Sequence, residues 1–503
     1  MIDTTFLAHL GWRGVNGLSP IVDFWHFYGG FTAANLTLSF KLFGVSMKSV
    51  DFAFVLIFLQ AMGLLLLLCY KRLSFASISL LFVLSATVIL GPLSIEDGYR
   101  PYINHSFVYN HFAMIVIIAV SVFSMNPRTD VVSLDFLTSI LAGIALFLLA
   151  LAKPTFIVVA PFIVASCLMR GGCRAAVLVF LGFLVAFFLL DPWAIRLRGS
   201  FEEILLMGQI ERAGGLFGRL RHAFLTVVAH AGYLTVFGFF AWIYGKGKWR
   251  QSASMFASML LCAGGYGAAT LSMNGEPDLM MLPMIIALLL LLTDRLKEED
   301  NRRANLGYLC AVAMAAVLVL PATYYSGMAL LRMDEAKMSR LITTGPLADY
   351  VVLNPDAPSV VPPNSSATVR LEAAVEDVAI RLDAGGPGRA TDAYVILADG
   401  FHLLERIPKV ASYGIITRGS TFDFTVPLES KPVPSFPVWP LARSTSFLDM
   451  SQVDIVMAVK NYDAPDHLSV EAVAIVAEEF HPCMESTFFV LSIRRLNSDV
   501  TCD

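Results

Sequence analysis

Two carboxylates near the chain start, Asp3 and Asp23, stand among aromatic and apolar residues, the second inside "SPIVDFWHFYGGFTAANLTLSFKLFGVS" from Ser19 to Ser46. A carboxylate at a lipid–water boundary is partly desolvated, which suits it to take a proton from a hydroxyl. The plainer alternative is a solvated loop carboxylate. His26 reads as an interfacial polar residue or as a substrate contact. Glu96 and Asp97, in "SIEDGYRPYINH", form a second acidic pair, although "DG" and "RP" equally mark a turn. Lys153, in "LAKPT" between two apolar runs, either snorkels to headgroups or contacts a phosphate. Arg196, Arg198, Arg212, Arg219 and Arg221 crowd the segment 192–222. An arginine fork matches phosphate oxygens, the alternative being attachment to anionic lipid. Tyr109 and Asn110, near the end of an apolar run, serve either helix–helix hydrogen bonding or substrate contact.

The elements that must hold these groups are set by composition. Of 503 residues, 56% are hydrophobic and 15% charged, whereas soluble domains carry about 25% charge and apolar runs of about 20 residues mark membrane helices. The fold class expected is a mainly α membrane protein, a polytopic helical bundle, with a small C-terminal α/β soluble domain. The spans read as 52–70, 74–92, 107–125, 132–151, 155–170, 174–191, 223–244, 252–272, 278–294 and 305–325. Residues 28–44 mix Thr32, Asn35, Thr37, Ser39 and Lys41 with apolar positions, as a helix lying at the interface does. Domain limits follow at 1–51 for an extracytoplasmic loop with that helix, 52–326 for the spanning bundle and 327–503 for the soluble domain.

Lys71/Arg72, Arg128, Arg170/Arg174, Lys246/Lys248/Arg250 and Arg295/Lys297/Arg302/Arg303 fall in alternate loops, which places those loops in the cytoplasm. The loop 192–222 dissents. The C-terminal domain is then extracytoplasmic, and so is Met1, which predicts a first span before the given start. Five cysteines, Cys69, Cys167, Cys173, Cys262 and Cys310, lie in or beside apolar runs and read as small packing residues. The net charge of −4 and the absence of a basic stripe give nucleic-acid binding no support. No His/Asp spacing calls for a metal, and no cofactor is expected, although metal dependence is left open.

In the tail, "DAYVILADG" (392–400), "YGIIT" (413–417), "VDIVMAV" (453–459) and "TFFVLSIRR" (487–495) read as strands, and "VEAVAIVAEEF" (470–480) as a helix. Alternation of the two argues for an α/β layer. Asp399, Gly400 and His402 follow a strand, where such layers bind ligands. Cys483 and Cys502 would share an oxidising compartment and are able to pair there.

The order of acidic residue, "G..P..DF...YG" stretch, interfacial helix and "LFG" resembles the first external loop of the GT-C-fold glycosyltransferases, the superfamily of protein mannosyltransferases and aminoarabinose transferases. Asp3 matches the first acidic position; Gly17, Pro20, Asp23, Phe24, Tyr28 and Gly29 match the second stretch, and Leu42-Phe43-Gly44 its close. "FVYNHFAMIVI" (107–117) and "ALAKPTFIVVAP" (150–161) are similar to further stretches of the family. "YGG" stands where the family has "YGP", and the family's first span is missing before Asp3.

The resemblance implies a GT-C-like bundle in the cytoplasmic (inner) membrane, moving a sugar from a polyprenyl-phosphate donor to a hydroxyl on a lipid, glycan or protein acceptor. Asp23 or Asp3 would be the base. Arg212, Arg219 and Lys153 would meet the donor phosphate, and His26, Glu96, Asp97, Tyr109 and Asn110 would contact donor or acceptor. A lipid-linked-sugar transporter or flippase is the alternative, to which the glycine pair Gly264-Gly265 would give a mid-membrane break. An inactive assembly partner is the third reading.

Overall fold

The structure, a computed structural model, describes residues 10–11, 14–15, 17, 30–44, 47–90, 93–94, 98–99, 108–127, 131–191, 198, 238, 249–270, 277–297, 300–331, 340–341, 351–352, 413–416, 455–459, 477–485 and 489–495. The chain divides into two compact units: Met1–Ala53 with Leu205–Ile210 and Leu330–Asp503, and Phe54–Ile204 with Glu211–Ala329.

In the first unit, α1 (Gly30–Phe43) buries Phe31, Leu36 and Phe40 together with the polar Thr32, Asn35 and Ser39. Leu38, Leu42 and Phe43 stay exposed. Two of these are met locally, Asn35 Nδ2 donating to the Phe31 carbonyl (3.1 Å) and Ser39 Oγ donating to the Ser49 carbonyl (2.5 Å), while nothing among the described residues bonds Thr32 Oγ1. Gly44, at φ 80°, ends the helix in the left-handed region that a side chain would strain, and its carbonyl accepts from Ser49 Oγ (2.7 Å). The glycines of "GWRG" lie against this helix: a Cβ on Gly11 would meet Leu36 at 2.8 Å, and one on Gly14 would collide with Thr37.

The second unit is a helical bundle. Chain order gives α2 (Met47–Cys69), which begins in the first unit, then α3 (Phe75–Leu90), the short hairpin β1 (Leu93–Ser94) and β2 (Gly98–Tyr99), α4 (Val108–Met125) and α5 (Val132–Ala152). A 3-10 turn (Pro154–Val158) leads into α6 (Val159–Leu190), followed by α7 (Trp249–Thr270), α8 (Pro277–Leu296) and α9 (Asn301–Leu331). Helices are the outcome because lipid offers no partner to backbone N–H and C=O groups, which must pair within their own segment. Among the described residues, Ser49–Cys69, Val108–Met125, Val132–Ala152, Pro154–Leu190 and Asn301–Tyr324 are long and apolar enough to cross a membrane, and Phe75–Leu90 is a shorter apolar helix. Of the expected span 223–244, Gly238 is described, as helical, and the rest lies outside the described residues.

Pro154–Leu190 comprises 37 residues, about 55 Å as one straight helix against a hydrocarbon core of about 30 Å. It is not straight. Gly172, at φ 73° and ψ −176°, breaks α6, and the contacts on either side show a reversal. Before the break, Ser166 meets Ser124 near the end of α4, and Gly171 abuts Pro127, just ahead of α5. After it, Val179, Gly182 and Phe187 climb alongside Gly143, Ile140 and Phe147, in the same direction as α5. The two arms are therefore antiparallel and correspond to the expected spans 155–170 and 174–191. Backbone crossing at Gly143 and Gly182 is close: a Cβ on the first would collide with the Val179 carbonyl, and one on the second with the Ile140 carbonyl. Small residues permit such approach between membrane helices. Gly264-Gly265 has the same explanation. It lies within continuous α7, with the Phe162 side chain 3.0–3.6 Å from the added Cβ positions, so it is a packing groove and not a helix break.

α4 is buried along its whole length, packed by α3, α5, α6, α7 and α8. Its last carbonyls have no intrahelical partner, and two arginines supply one. Arg170 Nε donates to the Met125 carbonyl (3.0 Å). Arg72 Nε donates to the Asn126 carbonyl (2.7 Å), and its Nη2 donates to the Pro127 carbonyl (3.3 Å) and to Thr138 Oγ1 (2.9 Å). Its Nη1 faces the Leu68 and Tyr70 carbonyls at 3.3 and 3.5 Å, while Asp135 stands 3.8 Å away. Burial pushes the guanidinium below its ordinary pKa, and Asp135 opposes that shift. Arg72, one of the loop charges that set orientation above, has a wholly buried side chain, and Lys71 carries the exposed charge of that loop.

A second clamp joins the same end. Ser74 caps α3, its N–H donates to Asp294 Oδ2 (2.7 Å) at the end of α8, and Tyr308 of α9 donates to Asp294 Oδ1 while its hydroxyl lies 3.1 Å from Ser74 Oγ. Arg295 Nη1 reaches Met255 Sδ (3.7 Å) near the start of α7. Lys71, Arg170, Arg174 and Arg295, with the start of α7 at Trp249, thus gather at one end of the bundle. Deeper in, Ser124 Oγ bonds Ser166 Oγ (3.0 Å) and lies 3.3 Å from Cys262 Sγ, tying α4, α6 and α7. Cys69, Cys167 and Cys262 are buried as packing residues, whereas Cys173, beside the break at Gly172, is exposed.

In the C-terminal segment β5 (Tyr413–Ile416), β6 (Ile455–Val459), β7 (Phe480–Glu485) and β8 (Phe489–Arg494) form one sheet in the order β5-β6-β8-β7, after a two-residue pair β3 (Arg340–Leu341) and β4 (Val351–Val352). The β5–β6 pair is parallel and the others antiparallel; a parallel pair needs a crossover connection, as in α/β layers. Only Ala477–Glu479 of the expected helix 470–480 is described as helical, since Phe480 already starts β7, its carbonyl accepting from Arg495 Nε (3.2 Å). The strand at 392–400, with Asp399, Gly400 and His402, and the pairing of Cys483 with Cys502 lie outside what is described.

Two series of substitutions test the bundle. Gly143→Val and Gly182→Val should each lower stability by about 1–3 kcal/mol through overpacking, while Gly63→Val, with nothing within 4 Å of its added Cβ, should not. Arg72→Leu, which strands several buried carbonyls and Asp135, should cost about 3–5 kcal/mol, and Arg72→Lys less. Exposure of the buried Cys167 and Cys262 thiols to a maleimide dye on heating, in detergent, reads both series.

Candidate functional site

At the end opposite the basic loops, α5 terminates at Lys153. The residue is extended (φ −159°, ψ 122°), its N–H still donates to the Leu149 carbonyl (3.0 Å), and Pro154 following it cannot extend that ladder. The chain turns through Pro154–Val158 into the first arm of α6. Lys153 is half-buried. Its Nζ lies 5.7 Å from the Tyr109 ring centre and 5.8 Å from that of Phe156, within cation–π range. The ammonium is thus held between two rings.

Two expected site residues, Lys153 and Tyr109, come together here. Tyr109 and Asn110 open α4 and are buried, at 2% and 1% exposure. Asp3, Asp23, His26, Glu96, Asp97, Arg212 and Arg219 lie outside the described residues; Glu96 and Asp97 fall in the interval between β1 and β2.

Three further residues were not singled out from sequence. His111, one place after Asn110, is buried, and among the described residues nothing bonds its Nε2. The same holds for Thr155 Oγ1, inside the turn. Asp191 ends the second arm of α6 and is 4% exposed. Its signal was available: an acid directly after the apolar run "LVAFFLL". The Thr155 hydroxyl lies two residues from Lys153 in the turn itself, and His111 two residues after Tyr109 on α4, and a hydroxyl and an imidazole can each donate to or accept from a polar ligand. Among the described residues no cluster of three or more His, Cys, Asp or Glu is placed to hold a metal ion.

No family model matches the chain, and no curated protein matches it. Two solved structures are similar to it, both of ArnT from Cupriavidus metallidurans, one in the apo state and one bound to undecaprenyl phosphate. The TM-score is 0.40 for each, with 12% and 14% sequence identity respectively, over 97% of this chain and 93% of the other.

Proposed function

We propose that this protein is a multi-pass membrane glycosyltransferase that moves a sugar from a polyprenyl-phosphate donor to a hydroxyl acceptor at the outer face of the cytoplasmic membrane. The observation that carries this reading is Lys153, a cation held between Tyr109 and Phe156 at a helix break, at the bundle end opposite the basic loops. With those loops in the cytoplasm, Lys153 stands at the outer boundary, where the phosphate of a lipid carrier lies. The ammonium would bind that phosphate and stabilise the charge that grows on it as the glycosyl C–O bond breaks.

In this reading Asp23, or Asp3, takes the proton from the acceptor hydroxyl as its oxygen bonds to the sugar carbon, and the polyprenyl phosphate leaves with the electron pair. Arg212 and Arg219 add charge-assisted contacts to the departing phosphate. His26, Glu96, Asp97 and Asn110 remain candidate substrate contacts. The C-terminal domain, placed outside the cytoplasm, covers the site or selects the acceptor.

Transfer from a labelled polyprenyl-phosphate sugar in membranes tests the assignment. Asp23→Asn should lower the rate by about 100- to 10,000-fold at normal membrane levels; full activity in both Asp23→Asn and Asp3→Asn removes the base assignment. Lys153→Gln should raise the apparent KM for the donor, and Lys153→Arg should retain donor use in part; unchanged donor kinetics in the Gln variant sinks the phosphate role. A compartment-specific reporter fused after Asp503 should be active only outside the cytoplasm, and cytoplasmic activity would invert the topology.

A further inference from the structure

We propose that the loop between α2 and α3 is a fixed docking site for the headgroup of an anionic phospholipid, held by Lys71 with Tyr70 and Phe75 beside it. The proposal does not depend on the transferase reading. The loop turns some residues inward and others outward. Arg72 and Leu73 are buried, and Ser74 is latched to Asp294 and Tyr308. Tyr70, Lys71 and Phe75 are exposed, and Phe75, at 86%, is the most exposed of the large apolar side chains described.

The backbone at Lys71 makes the residue type informative. Its φ is 61°, and it is the one non-glycine among the described residues with positive φ. The Cys69 carbonyl at the end of α2 accepts from the Arg72 N–H (2.9 Å) and the Leu73 N–H (3.1 Å), a tight turn that passes through Lys71. Helix ends favour glycine at such a left-handed position, because a Cβ is strained there. The strain is held in place by the bonds of Arg72 on one side of the turn and Ser74 on the other. A lysine standing where glycine would be less strained points to a use for its side chain.

Among the described residues, the Lys71 ammonium meets the Tyr70 ring, 5.6 Å from its centre and within cation–π range, and no carboxylate. The surroundings indicate what answers its charge. Aromatic rings such as Tyr70 and Phe75 sit at headgroup level in membrane proteins. Exposed apolar residues continue from them along each helix, Leu66 and Leu67 on α2 and Phe82 and Val83 on α3. A soluble anion would leave this surface in water, whereas a lipid covers it while bringing a phosphate to the cation. In the orientation proposed above this end faces the cytoplasmic leaflet, where anionic lipids supply that phosphate.

The full chain in detergent, titrated with phosphatidylglycerol or phosphatidylcholine and read by native mass spectrometry, tests the site. Lys71→Gln should weaken phosphatidylglycerol binding by about fivefold and leave phosphatidylcholine binding unchanged. Arg302→Gln, which removes an exposed cation at the start of α9, should change neither. Lys71→Gly should lose phosphatidylglycerol as Lys71→Gln does, while its thermal midpoint stays level or rises, because glycine relieves the left-handed backbone. Full phosphatidylglycerol binding in Lys71→Gln overturns the proposal. Equal losses in Lys71→Gln and Arg302→Gln also overturn it, since they mean diffuse attraction to the basic end. A lowered midpoint in Lys71→Gly does so too, because the lysine would then serve the fold. Displacement of bound phosphatidylglycerol by inorganic phosphate at matched concentration would mark a soluble ligand and overturn the lipid assignment.

Discussion

The bundle depends on satisfying the end of its central helix. α4 is surrounded by protein on all sides, so its terminal carbonyls reach neither water nor headgroups. Two arginines from other segments supply the donors, and Arg72 spends all five N–H groups on α2, the α4–α5 connection and α5. In a low dielectric such bonds are strong, and a missing partner is correspondingly expensive. The guanidinium therefore fixes where three helices begin and end relative to one another. Its face over the Phe123 ring, 4.9 Å away, adds an apolar neighbour to the same anchor.

The opposite end inherits its geometry from that anchor. α5 starts in the Arg72 network and ends at Lys153, so the height of the ammonium is set by helix length from a fixed origin. The reversal at Gly172 starts the second arm of α6 in the same layer as α5, and the Gly143–Gly182 crossing holds the two in step. The two helices therefore run side by side toward the end that carries Lys153. A polar site at a membrane boundary needs this kind of support, because its own side chains are too few to hold one another.

The bundle holds its buried polar residues in two ways. At the basic end Arg72, Asp135, Thr138, Ser74, Asp294 and Tyr308 are bonded into closed networks. Thr293 Oγ1, beside Asp294 at that same end, and His111 Nε2 and Thr155 Oγ1 at the other are buried with no bond among the described residues. Closed networks rigidify, whereas open donors and acceptors are able to accept a ligand.

Sequence alone determined the membrane class, most span limits and the clustering of basic loops, because each is a property of about 20 consecutive residues in lipid. The expected spans 107–125 and 132–151 fall on Val108–Met125 and Val132–Ala152 almost residue for residue. The pairing of Lys153 with Tyr109 was half legible: both were candidates, but nothing in their 44-residue separation brought them together. Tertiary structure decided the rest. Arg72 reads as a loop charge and is buried; Gly264-Gly265 reads as a break and is a groove for Phe162; Asp294 meets Ser74 across 220 positions. Local sequence reports what a segment prefers in water or lipid, whereas these outcomes depend on which other segment arrives to supply a donor, a ring or a charge.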